Sequence, residues 1–381
     1  MQAAPQQRIA VGGQAHLANW LMMTPAGQQV LAAAHRQRSA LRCLCVGCGV
    51  DMYVARRGAT YYLARMPGTG MLHAEDCPST EGANLFSGAD SYLGGAMTEQ
   101  PDGRLFVKYA DGGLVSIEGL LDLLIEMAEL NVLRPDAGAR TWREARKALA
   151  EGADGIITPD GDLAAQILLP NSFNKDDYGT ERLGQEAFLT VPDCARLVCA
   201  PLRELRPTTY GWRVILKHMP DTRFWLSRTV AESLVERAAG TFDPGTAPLP
   251  GLALMRVKPG GKPGEFLVCD IALRRTDRRF MPCLSEQEAQ VADELSAARR
   301  ALLRPLRFDA PWQRALADYA LLDCAGAPLP VLVLAPTGSE ALDLAKKTLA
   351  GALRHRGDFP CGVWERTGWT SPPPVAITSP T

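Results

Sequence analysis

Leu41-Arg-Cys-Leu-Cys-Val-Gly-Cys-Gly-Val-Asp-Met-Tyr-Val-Ala-Arg-Arg-Gly-Ala-Thr-Tyr-Tyr-Leu-Ala-Arg65, followed by His73-Ala-Glu-Asp-Cys77, is the stretch on which the reading of this chain turns. Met52–Ala55 and Thr60–Arg65 are short runs rich in Tyr and Val on either side of Arg57-Gly58, a pattern that predicts a β-hairpin. Met66-Pro-Gly-Thr-Gly70 is loop by composition and delivers the chain to His73 and Cys77. Thiolates and neutral imidazole suit zinc, which structural sites hold tetrahedrally with four ligands. Cys43-Leu-Cys45 places two thiols one residue apart, and His73 and Cys77, four apart, would share one face of a helical turn. The chain between the pairs, residues 46–72, is long enough for a hairpin that returns one pair to the other. The predicted ligands of a structural Zn2+ are therefore Cys43, Cys45, His73 and Cys77. Cys48 is an alternative: if Cys45-x-x-Cys48 is the pair, Cys43 is the spare thiol.

Three other readings of the cluster compete. Its thiols could merely pack, with His73 on the surface. A thioredoxin-type pair at Cys45-Val-Gly-Cys48 would need a strand-to-helix context that this stretch lacks. A catalytic zinc would leave a position open, with Glu75 or Asp76 as base, whereas a full set of thiol and imidazole ligands closes the site.

Between His35 and Leu72, Arg36, Arg38, Arg42, Arg56, Arg57 and Arg65 stand against a single acid, Asp51, with Tyr53, Tyr61 and Tyr62 interleaved. Such an excess contacts phosphates while aromatic rings stack on bases. Arg42, Arg56, Arg57 and Arg65 are the candidate nucleic-acid contacts. The plainer alternative is a solvated hairpin with its tyrosines on the packed face.

The whole chain sets the bounds. Its 381 residues allow two or three domains. With 41 Lys+Arg against 42 Asp+Glu, any polyanion site must be a local patch. A hydrophobic share of 46% excludes a wholly disordered chain. No run approaches the roughly 20 apolar residues that span a bilayer, and the first residues lack an export pattern, so no membrane partner and a cytoplasmic location are expected. Disulfides are disfavoured there, and the scattered Cys194, Cys199, Cys269, Cys283, Cys324 and Cys361 read as small core residues.

Punctuation gives the organisation. Residues 14–38 read as helix, Leu105–Tyr109 as strand, Ser116–Asn131 as an apolar helix, and Thr141-Trp-Arg-Glu144 as a capping box opening another. Ile156–Thr158 and Leu163–Leu169 flank a turn at Pro159-Asp-Gly-Asp162, a helix-helix-hairpin order compatible with a winged helix. Residues 170–192 and 241–264 read as loop. Arg196–Ala200, Trp212–His218, Phe266–Leu273, Arg279–Cys283, Tyr319–Cys324 and Val331–Leu334 read as strands, with Pro220-Asp-Thr as a turn. Helices are expected after Thr229, after Ser285 to about Leu303, and after Thr337. The expected fold class is α+β and multidomain: a zinc-stabilised β-hairpin module over 1–100, a helical α+β region over 101–175, a mixed α/β domain over 176–370, and a disordered tail over 371–381.

Arg42-Cys-Leu-Cys, Met52-Tyr-Val-Ala-Arg56, Arg65-Met-Pro-Gly-Thr-Gly70 and His73-x-x-x-Cys77-Pro-Ser together resemble the bacterial family catalogued as domain of unknown function 1173. The resemblance continues through Glu129-Leu-Asn131, Thr141-Trp142, Lys217-His-Met-Pro220 and Leu303-Arg-Pro-Leu-Arg307, from about residue 8 to 366. It implies ligand-type positions at Cys43, Cys45, His73 and Cys77, with Cys48 a departure. It also implies an association with plasmids and other mobile genetic elements, and no defined reaction.

Enzyme chemistry finds little purchase in the motifs. A restriction-nuclease-like core needs an acid and then Asp/Glu-x-Lys on the next strand. Asp318 and Asp323 lie near two short strands followed by a helix, yet that tripeptide occurs nowhere, so a live core is not expected and a degenerate one used as a binding scaffold is left as an option for the C-terminal region. Pro263 in Gly260-Gly-Lys-Pro263 excludes a P-loop. His16, His35 and His355 have the flanks of exposed helix positions, and His218 reads as packed rather than as a base. The sequence thus points away from an enzyme and toward a zinc-binding accessory protein that contacts DNA, RNA or a protein partner of a mobile element. Arg140, Arg143, Arg146 and Lys147 could extend the surface. The alternative is a metal-dependent hydrolase acting on nucleic acid.

Overall fold

The computed structural model describes residues 7–47, 49–57, 60–66, 73–74, 77–79, 86–92, 95–109, 113–135, 138–172, 174–191, 195–237, 251–310, 316–324, 329–334, 337, 339–355 and 362–365. Cys48, Glu75, Asp76, Cys194, Cys361, Gly240 and the 371–381 tail lie outside them. The chain is mixed α/β with several sheets. The first sheet is antiparallel, in the order β2-β1-β3-β4-β5. It is built from β1 (Arg8–Val11), β2 (Gln14–Leu17), β3 (Leu41–Cys43), β4 (Val50–Arg57) and β5 (Thr60–Arg65). Two helices, α1 (Ala18–Met23) and α2 (Pro25–Gln37), cover one face. The single helix expected over 14–38 is therefore wrong: Gln14–Leu17 pairs with β1, and Thr24-Pro25 breaks the rest. Thr24 accepts from the Gly27 N–H as N-cap, and Pro25 at the first helical position needs no donor.

The next region alternates short strands with helices: β6 (Met97–Glu99), β7 (Leu105–Val107), α3 (Ile117–Met127), β8 (Val132–Leu133), α4 (Trp142–Asp154), β9 (Ile156–Thr158), β10 (Gly161–Asp162), α5 (Leu163–Gln166) and β11 (Ile167–Leu168). The Thr141–Glu144 capping box is present. The hairpin is shorter than expected: β10 ends at Asp162, Leu163–Gln166 turns helical, and β11 leaves to pair in parallel with the next sheet.

That sheet is a closed barrel. After α6 (Tyr178–Leu189) come β12 (Arg196–Thr208), β13 (Gly211–Leu216), β14 (Met219–Ser227), α7 (Arg228–Arg237), β15 (Gly251–Pro259) and β16 (Glu265–Arg275). The order β12-β13-β14-β16-β15 returns to β12 through the β12–β15 pairing, with β14 and β16 parallel and the remaining contacts antiparallel. A five-stranded Greek-key barrel with a helix between its third and fourth strands has OB-type topology. Alternation along β12 and β15 sends Val198, Ala200, Ala253 and Met255 inward, while Leu197, Cys199, Leu252 and Leu254 pack outward against α3. Part of the barrel's outer surface is thus buried.

Three expectations fail here. Residues 178–189 form α6, where Arg182 and Glu186 pair one turn apart at 3.5 Å and Leu189 is buried. Gly251–Pro259 is a core strand, because Leu252, Ala253, Leu254 and Met255 are all fully buried. The turn lies at Lys217-His218, and Pro220 sits inside β14 near its start, where a missing N–H is tolerated.

The last unit runs α8 (Glu286–Ala297), β17 (Leu302–Leu303), β18 (Tyr319–Leu321), β19 (Leu329–Leu334), α9 (Glu340–His355) and β20 (Gly362–Glu365). Its sheet is ordered β20-β19-β18-β17-β8, with only β19 and β20 parallel. α8 stops short of the expected Leu303 because Arg299 turns left-handed at φ 53°. Four charges are buried at its centre. Lys346 Nζ donates to Glu288 Oε1 at 2.8 Å and lies 2.7 Å from Asp318 Oδ1. Arg304 reaches the same carboxylates at 3.1 and 3.2 Å. The Leu284 and Val333 N–H groups occupy Glu288 Oε2 and Asp318 Oδ2.

Candidate metal centre

Cys43 ends β3 with its side chain on the inner face, since Leu41 and Cys43 are buried and Arg42 between them is exposed. The chain turns after Cys43 and brings Cys45 alongside. After β5 it reaches His73, and the Cys77 N–H donates to the Ala74 carbonyl at 2.9 Å, a turn where a helical spacing was expected. Cys43, Cys45, His73 and Cys77 thereby meet, and one ligand atom from each lies within 4.8 Å of all the others.

The separations discriminate between packing and ligation. Bond lengths near 2.3 Å for thiolate and 2.0–2.1 Å for imidazole give tetrahedral edges of about 3.8 Å (S–S) and about 3.6 Å (S–N). Cys43 Sγ and Cys77 Sγ are 3.6 Å apart, and His73 Nδ1 lies 3.3 Å from Cys45 Sγ and 3.5 Å from Cys77 Sγ. Cys43, His73 and Cys77 are buried, and Cys45 is half-buried. His73 Nε2 has no hydrogen-bond partner among the described residues. This Cys3His cluster could hold a metal ion.

Donors surround the sulfurs. Gln7 Nε2 lies 3.4 Å from Cys43 Sγ and 3.8 Å from Cys77 Sγ, and the Ser79 N–H donates to Cys77 Sγ at 3.4 Å. The Cys77 thiol, hydrogen-bonded to Cys43, pulls the Cys43 thiol down to about 4 against its burial, with Gln7 and the Cys45 N–H helping. Cys77 is pushed up by the same contact and by burial, and Cys45 is pushed up by burial first. Such N–H groups stabilise thiolate, the form that binds metal. Nothing in the sequence around Gln7 signals this role; Ser79, in Cys77-Pro-Ser79, at least adjoins a ligand.

The candidate arginines do not share one face. Arg42 pairs across the strands with Asp51, its Nε 3.0 Å from Oδ1, and both are exposed. Arg56 opposes Tyr61 and Arg65 opposes Met52, positions on the face covered by α1 and α2. The Arg56 guanidinium lies 5.8 Å from the Tyr61 ring centroid, and Arg65 donates to the Ser79 carbonyl at 3.4 Å. Arg57 opposes Thr60, on the same side as Arg42, and its side chain lies outside the described residues. Tyr53 and Tyr62 lie on that outer side too, opposite Ala64 and Ala55.

A mixed α/β chain carrying a Cys3His cluster on its first sheet is the class that fold and site define. The chain belongs to the family described as proteins of unknown function, DUF1173, whose profile matches residues 21–110 and 107–367. No curated protein and no solved structure matches it. No helix among the described residues is long and apolar enough to cross a membrane.

Proposed function

We propose that this protein is a zinc-stabilised binding factor, an accessory protein of nucleic acid associated with mobile elements, whose residues 1–100 form a module closed by structural Zn2+ on Cys43, Cys45, His73 and Cys77. The observation that carries the metal reading is the match of the Cys43–Cys77 and His73–Cys separations to tetrahedral edges. Four protein ligands leave no open position, so the ion supplies folding free energy rather than chemistry. Arg42, with Tyr53 and Tyr62 on the same outer side, supports a nucleic-acid contact on the outer face of the same sheet. The test is metal analysis of the purified protein: about one zinc per chain is expected, lost in Cys45→Ser and in Cys77→Ser. Full occupancy in both variants would remove the site.

One observation favours the second reading, a metal-dependent hydrolase of nucleic acid. Lys346 from α9 joins Asp318 and Glu288, supplying from a helix the lysine that no Asp/Glu-x-Lys tripeptide provides. Against it, each of these carboxylate oxygens already has a donor, and the three side chains are at most 3% exposed. Incubation with labelled DNA and RNA plus magnesium or manganese decides: turnover abolished by Asp318→Ala would establish the hydrolase.

A further inference from the structure

The barrel's outer surface has two halves of opposite character. Leu197, Cys199, Leu252, Leu254 and Ala272 bury one half against α3. The other half, formed by the end of β12, by β13 and β14 and by the start of β16, carries a cross-strand row. Arg206 opposes Arg213, Arg213 opposes Trp225, and Trp225 opposes Leu267. Residues directly opposite in a sheet share a face, so these side chains line up on the outside, next to the inward Val214 and Phe224. Tyr210, 91% exposed, stands in the β12–β13 connection at one end, and exposed Lys258 and Lys262 flank the β15–β16 connection at the other.

We propose that this half of the barrel binds single-stranded DNA, with Trp225 and Tyr210 as stacking surfaces and Arg213, Lys258 and Lys262 at the phosphates. The inference deepens the reading of the protein as a nucleic-acid-binding factor and does not depend on the zinc. In five-stranded barrels of this type, the face of the second and third strands and its flanking connections take oligonucleotides or oligosaccharides. The charge here selects the first. Among the described residues Arg213 makes no ion pair, although its charge acts on Glu204; its Nη2 donates to the Pro220 carbonyl at 3.4 Å and its buried Nε has no partner. Arg206, within the row, is held by Glu204 at 2.9 Å, and Arg223, beside it, by Glu265 at 2.8 Å. Leu267, 42% exposed, extends the apolar strip beside Trp225. Phosphates and base planes are common to single-stranded DNA and RNA, and the affinity for the equivalent RNA separates the two.

The test uses the full-length zinc-loaded protein and a fluorescein-labelled oligothymidylate, read by anisotropy, with zinc content measured for every variant. Trp225→Ala should weaken binding about tenfold through lost stacking. Because Trp225 is half-buried, a second variant, Tyr210→Ser with Lys262→Ala, alters only exposed positions and should weaken binding as well. Raising salt from about 50 to about 200 mM should cost roughly 20-fold if three phosphates are neutralised. Unchanged affinity in both variants would overturn the proposal. Loss confined to Arg42→Ala would overturn it too, while leaving a nucleic-acid site on the N-terminal sheet. Tighter binding of the equivalent RNA would overturn the assignment to DNA. No binding by the wild-type protein at full zinc occupancy would overturn the proposal and leave the metal reading intact.

Discussion

Gln7 Nε2 donates to Ser79 Oγ at 2.8 Å, while the same amide faces the Cys43 and Cys77 sulfurs at 3.4 and 3.8 Å. One side chain just ahead of β1 therefore laces the start of the chain to the Cys77 loop and donates toward two ligand atoms.

Gln7→Ala should keep the fold at saturating zinc but lower metal affinity about 10- to 100-fold, the usual effect of losing an outer-shell partner. Competition with a chromogenic chelator measures this. Unchanged affinity would remove the amide from the site.

Gly27→Ala should destabilise the N-terminal module. A Cβ at this position would sit 2.1 Å from the Trp20 carbonyl oxygen and 2.6 Å from Leu21 Cα, both backbone atoms of α1. Rigid backbone cannot yield as a side-chain tip can, so a loss of about 1–3 kcal/mol or more is expected in denaturant unfolding. A variant as stable as the parent would mean that α1 and α2 do not cross this closely.

Lys346→Met should cost about 3–5 kcal/mol, because among the described residues it leaves Glu288 and Asp318 with Arg304 as their only ion-pair partner. Adding Glu288→Gln should recover part of that loss. If the double variant is no more stable than the single, the charges are not coupled as their 2.8 and 2.7 Å contacts require.

The same network gives opposite pH slopes. Burial pushes Glu288 up, but Arg304 and Lys346 overcome it and hold the carboxyl at about 2. Its contribution is present above its ordinary 4.5 and is lost as pH falls toward 2. Burial raises Asp318 to about 6, against the pull of Lys346, so between 3.8 and 6 the folded state holds the extra proton and acidification stabilises it. Urea midpoints of the parent minus those of Asp318→Asn should therefore rise as pH falls from about 6 to about 4. A flat difference would contradict the shift.

Local signals made part of this structure readable. The β4–β5 hairpin follows from Tyr and Val flanking Arg57-Gly58, and the Thr141–Glu144 box marks the start of α4. The cluster of Cys43, Cys45, His73 and Cys77 was visible because its residue types are rare and its spacing short. The barrel was not. Its closure depends on Arg196–Pro201 meeting Leu252–Val257, segments far apart in the sequence, and no local period encodes such a pairing. Gly251 and Pro259 at the ends of β15 read as punctuation, although the residues between them are core. Four strands of the row Arg206–Arg213–Trp225–Leu267 likewise become neighbours only through register. The helix α6 hid because its buried side consists of little more than Gln185 and Leu189.

The candidate ligands Cys43, Cys45, His73 and Cys77 are staggered along the chain, and translation delivers them in order. Cys43 and Cys45 leave the ribosome early, with neither imidazole nor third thiol to join them. Under the proposed zinc reading, capture of the ion waits for Cys77, by which time β4 and β5 have also emerged, so closure of the nascent front sheet would be a late event set by its last ligand.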